Sequence, residues 1–109
     1  MSIDFANWFG STFGYPVPEV LSEFLATHPK GAENGLGPRL WPADQVMAET
    51  EDRQLALRGM CLIGTSDSIA HILLRPNDGR VFIVDSHDYA MVDAWFADVQ
   101  VLANLLNLQ

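Results

Sequence analysis

The chain predicts an α+β domain in which an antiparallel sheet of at least three strands is covered by helices. Three observations carry that expectation. In the first half, apolar residues recur at helical steps, as in Phe5, Phe9 and Phe13 and again in Val20, Leu21, Phe24 and Leu25. From Gly59 the pattern changes to short apolar runs, GMCLIGTS, IAHILLR and RVFIVDS, separated by turn residues. Three- and four-residue steps then return in Val92, Trp95, Phe96, Val99, Leu102, Ala103 and Leu106. Helices and strands grouped in this way favour an antiparallel sheet over alternating βαβ units. A length of 109 residues fits one domain over residues 1–109, with one core.

Taken in order, the first helix spans residues 2–13 and is weakened by Gly10, where it is expected to fray. Tyr15-Pro16-Val17-Pro18 interrupts it. Pro18 suits the first position of a second helix, because an N–H there would lack an intrahelical partner. That helix ends near His28, since Pro29 disfavours helical geometry in the residue before it. PKGAENGLGP reads as loop; its glycines at 31, 35 and 37 have no GKT or GKS after them and so make no phosphate cradle. Arg39 to Trp41 forms a short edge strand or turn, and ADQVMAETEDRQLAL reads as helical, with Val46 and Met47 turned inward and its polar later half, Thr50 to Arg53, either a helix end or a loop. Pro76-Asn77-Asp78-Gly79 joins the second and third strands as a hairpin. A bulged turn would pair His71 with Asp85, whereas a four-residue loop would pair His71 with Val84. The last helix, laid on the sheet through Trp95 and Phe96, completes the fold.

The formal net charge of −8, from 14 acids and 6 bases, argues against nucleic-acid or membrane binding through a basic patch and for a positively charged partner. The single cysteine, Cys61, allows no internal disulfide and lies among apolar neighbours that suit a buried thiol. MSIDFANWFG lacks the basic and apolar regions of a leader, and no stretch has about 18 uninterrupted apolar residues, so a cytoplasmic location is expected.

Chemistry is sparsely signalled. His71 with Asp85, His87 and Asp88 pairs imidazoles with carboxylates, the groups that hold zinc or orient a general base. No HExxH or CxxC spacing accompanies them, and Asp85 has an ordinary use in bonding the backbone of the turn that follows it. Ser66-Asp67-Ser68 lacks the second glycine of a nucleophile elbow and reads as a reverse turn. We therefore expect no catalytic residues, no metal and no cofactor.

The acids are more informative as two groups. Glu49, Glu51 and Asp52 cluster at the end of the third helix. Asp85, Asp88, Asp93 and Asp98 follow the hairpin, with no basic residue between positions 81 and 109, and Asp93 is expected near the positive end of the last helix. Both local fields read as one-signed. Trp41, Tyr89 and Met91 are candidate apolar anchors beside them, with Trp8 and Trp41 each open between core edge and interface anchor.

YPVPEVLSEFLATHPKG, LIGTSDSIAHILL, GRVFIVDSHD and AWFADVQVLANLL, which together run from Tyr15 to Leu106, resemble the SUKH superfamily. Its α+β domains are named partly for fungal cell-wall-assembly regulators and occur mostly as bacterial immunity proteins. The resemblance implies a stoichiometric inhibitor of a co-produced toxin, often a nuclease, whose basic surface an acidic protein would complement. Two other readings are a housekeeping regulatory interaction module of the same fold and a small metal-dependent hydrolase built on His71, Asp85, His87 and Asp88.

Overall fold

The computed structural model describes residues 5–35, 37–67 and 69–108. Four helices pack on a six-stranded antiparallel sheet, an α+β arrangement. The helices are α1 (Phe5–Phe13), α2 (Glu19–Thr27), α3 (Ala43–Asp52) and α4 (Val99–Leu106), with a 3₁₀ turn at Leu55–Arg58. The strands are β1 (Ala32–Glu33), β2 (Arg39–Leu40), β3 (Cys61–Asp67), β4 (Ala70–Leu74), β5 (Val81–Asp85) and β6 (Asp88–Phe96), side by side in chain order. Residues 1–4, Leu36 and Ser68 lie outside the described residues, so the start of the first helix and part of the expected serine turn do too.

The first helix does not fray at Gly10 but continues to Phe13. Phe9, fully buried, and Trp8 both contact Phe13 beyond the glycine, with ring centroids 4.9 and 5.7 Å apart. Those contacts outweigh the cost of about 1 kcal/mol that a mid-helix glycine carries. Pro18 sits just outside α2 as its N-cap, and His28 is the C-cap as the following proline required. The glycine-rich loop contains the two-residue β1, which makes β2 an interior strand.

Gly64 permits the close approach of β2 to β3: a Cβ there would lie 2.1 Å from the Arg39 carbonyl oxygen. β2 ends at Leu40, and after the Trp41 N–H has donated to the Ile63 carbonyl at 2.9 Å the chain turns into α3 at Pro42, so the Leu62 N–H is met by a helix side chain. Thr50 of α3 supplies it. Its hydroxyl accepts a hydrogen bond from the Leu62 N–H at 3.0 Å and is 3.5 Å from the Leu62 carbonyl, locking helix to sheet. Leu21, Phe24 and Leu25 of α2 join Val99, Leu102 and Ala103 of α4, Val46 of α3 and the strand residues Leu62, Ile72, Leu74 and Val81 in the core.

The β4–β5 hairpin adopts the four-residue loop, with His71 opposite Val84 and Leu74 opposite Val81. Arg75 and Arg80 close it: the Arg75 N–H donates to the Arg80 carbonyl, and the Gly79 N–H donates to the Arg75 carbonyl, both at 2.8 Å. Asp78 secures the loop by accepting from the Arg80 N–H and pairing with the Arg75 guanidinium.

The largest departure from expectation is at residues 92–96, which belong to β6 rather than to the start of a helix. Between β5 and β6 the register slips, so that Val84 faces Val92 while Phe82 faces Trp95. Two residues on β5 therefore match three on β6, the geometry of a bulge. That three-residue step is what imitated helical periodicity. Trp95 is accordingly not in the core: 56 % of it is exposed. The helix begins only after Asp98, whose carboxylate accepts from the Val101 N–H at 3.0 Å, so Asp98 caps α4 and Asp93 lies on the strand.

Candidate functional site

Register places two rows of side chains on one face of the sheet's β6 end, because directly paired residues project to the same side. One row is Leu73, Phe82 and Trp95; the other is His71, Val84 and Val92. Leu73, His71 and Val84 are buried, Phe82 is half-buried, and Val92 and Trp95 are exposed. Accessibility thus rises toward the outer strand. Met91, beside Val92, is 58 % exposed.

Arginines frame this face. The Arg58 guanidinium lies 5.5 Å from the centroid of the Tyr89 ring, Arg75 lies 5.2 Å from Phe82 and Arg80 lies 4.8 Å from Trp95. Each distance is within reach of a cation–π attraction. Arg58 and Arg75 line a groove of about 350 Å³ together with Met60, Phe82, Val84, Tyr89 and Val92, among others. The expected one-signed field around the hairpin exit is therefore interrupted in space by cations from the 3₁₀ turn and from the hairpin itself. Arg53 and Arg58 line one depression together with Asp88 and His87.

Three of the seven acidic candidates, Asp85, Asp88 and Asp98, hold the backbone, and two more, Glu49 and Glu51, bond side chains. Asp85 accepts from the His87 N–H at 2.7 Å and Asp88 from the Ala90 N–H at 3.0 Å, which fixes the two-residue turn into β6. Asp98 is the α4 cap. Glu49 pairs with Arg53 at 3.3 Å, and Glu51 accepts from the Trp8 indole N–H at 2.9 Å, tying α1 to α3. Asp52 and Asp93 are exposed, as are Asp88 and Met91. Trp41 is a core residue, 8 % exposed, and offers little surface to a partner. Tyr89 and Met91 do lie on the exposed strand.

The histidines are separated in environment. His71 is buried and its Nδ1 lies 2.7 Å from the Tyr89 hydroxyl. Burial, helped by the Arg53 charge, pushes the His71 imidazole below its ordinary value, and burial raises the Tyr89 phenol, so both are neutral at neutral pH. His87 is at the surface, with its side chain 86 % exposed and Nδ1 3.8 Å from Asp85. Among the described residues, no group of three or more histidine, cysteine, aspartate or glutamate side chains is arranged to hold a metal ion. Also among the described residues, no helix is long and apolar enough to cross a membrane. Cys61 is fully buried, and burial pushes its thiol up to about 12, opposed by the Thr50 hydroxyl.

Arg58, Arg75, Arg80, Phe82, Val92 and Trp95 are the site residues that the sequence did not single out as a group. Their common signal would have been the flanking of the hairpin by two arginines, but it has meaning only once β6 is recognised as a strand. No protein-family model matches the chain, and no curated protein matches it.

Proposed function

We propose that this chain is a non-enzymatic protein-binding domain, specifically a cytoplasmic immunity protein that occludes a cognate toxin such as a nuclease. The observation that carries the reading is the outermost strand. β6 has one neighbour, β5, and exposes Met91, Val92 and Trp95 together on nine residues of edge strand. Natural sheets usually shield such edges, and exposed apolar groups clustered on one mark a place where another protein docks. Tyr89 and Trp95 have the size and partial polarity of interface anchors.

The acidic excess supports the choice of partner. A net charge of −8 accelerates encounter with a basic surface, such as the one by which a nuclease holds phosphate, and disfavours direct competition for nucleic acid. The specific toxin-neutralising role rests on the resemblance of the chain's motifs to SUKH domains.

The test is to co-express the chain with the protein encoded beside its gene. A stable one-to-one complex, together with loss of that protein's toxicity, is the expected result. Full toxicity and no complex would reject the immunity reading.

A further inference from the structure

Resting on the reading of this chain as a protein-binding domain, we infer that the arginine-framed trough on the sheet face takes an extended segment of the partner that carries one carboxylate flanked by apolar side chains. The trough has two lobes. One is the groove over Phe82, Val84 and Val92; the other, of about 310 Å³, is lined by Phe13, Tyr15 and Ala56 among others. Both are lined by Arg58, Met60 and Arg75, so these three residues are common to the two lobes.

The charge of the lining selects the occupant. The chain has 14 acids and 6 bases, yet no acidic residue lines either lobe. Arg58 has no acidic partner among the described residues, whereas Arg75 is paired with Asp78 and Arg53 with Glu49. The Arg58 guanidinium is therefore held over an aromatic ring and exposed to solvent with its hydrogen-bonding fork available, the geometry that matches a carboxylate. The apolar walls on either side suit side chains that alternate along an extended backbone. A polyanion is a poor occupant. At physiological salt the screening length is about 8 Å, so one carboxylate feels chiefly the local arginines, whereas a nucleic acid also meets the excess acids around them.

The experiment uses the intact chain and a blocked five-residue peptide, leucine-alanine-glutamate-alanine-leucine, titrated to several millimolar while ¹H–¹⁵N spectra are recorded. Shifts confined to Arg58, Met60, Phe82, Val84 and Val92 are expected. Binding should weaken about fivefold for the glutamine counterpart and for Arg58→Gln, the upper range for an exposed ion pair. Arg58→Gln should keep the melting temperature of the parent chain. Equal binding of the glutamate and glutamine peptides, shifts elsewhere, or no shifts at all would overturn the inference. If the peptide fails while the adjacent-gene protein still forms its complex, the trough assignment falls and the protein-binding reading stands; if both fail, both fall.

Discussion

Replacing Thr50 with valine should destabilise the fold more than replacing it with serine, although valine preserves the shape of the side chain. Thr50 is fully buried and supplies the acceptor for the Leu62 N–H at 3.0 Å, on the edge of β3 beyond its last pair with β2, Leu40 with Gly64. Valine leaves that N–H buried without a partner, which costs roughly 1–3 kcal/mol. Serine retains the hydroxyl and loses one methyl group, about 0.8 kcal/mol if the group is fully buried. For a domain of this size the valine penalty corresponds to a fall in melting temperature of about 5–15 °C. Urea unfolding followed by far-UV circular dichroism measures both variants, and an unchanged denaturant slope would assign the difference to the native state. The reasoning fails if Thr50→Val is as stable as the parent chain or more stable than Thr50→Ser. The consequence reaches the candidate site, because α3 leads directly into the turn that delivers Arg53 and Arg58.

Other consequences follow from single side chains. His71 is held neutral by burial, so its folded-state value lies below the unfolded one; the unfolded chain then binds the extra proton, and stability is lost as pH falls from about 6.5 toward the depressed value. Unfolding curves at pH 7 and pH 5 should show a smaller difference for His71→Gln than for the parent, and equal differences would contradict the assignment. Asp98→Ala should cost about 1 kcal/mol by removing the α4 cap, with Asp98→Ser restoring most of it; an unchanged melting temperature would mean that the cap contributes nothing. Cys61, buried and with its thiol pushed up to about 12, should react with a thiol reagent at pH 8 only as fast as the protein unfolds; prompt labelling of the native chain would show that the thiol is accessible.

The elements whose period was undisturbed were legible in the sequence. Val20, Leu21, Phe24 and Leu25 marked α2, the runs around Ile63, Ile72 and Ile83 marked three strands, and Cys61 was correctly placed in the interior. The hairpin register depended on whether Asp78 and Gly79 belonged to a four-residue loop, which local preference alone did not settle but the Arg75–Arg80 pairing does. Residues 92–96 read as helix because a bulge at Asp93 spaces Val92 and Trp95 by three residues, a step that strands and helices share only in this circumstance. Helical spacing puts Trp95 in the core, whereas on a strand it joins the exposed surface. β1 and β2, at two residues each, were too short to leave a periodic signal. The acidic groups read as one-signed fields in the sequence, and that reading misses the cations that break the field at the hairpin exit, because Arg53, Arg58, Arg75 and Arg80 arrive there only in the fold.

The measurement that bears most directly on the account is the affinity of the chain for the protein encoded beside its gene, compared between the parent and Trp95→Ser by isothermal titration. The exposed 56 % of Trp95 leaves about 140 Å² to be covered by a partner, from a full area near 250 Å², which is about 3.5 kcal/mol at most and about 2 kcal/mol after the losses typical of interfaces. The dissociation constant should therefore rise about 30-fold in Trp95→Ser, at an unchanged melting temperature. A constant within twofold of the parent's would contradict the claim that the β6 face is where this protein meets its partner.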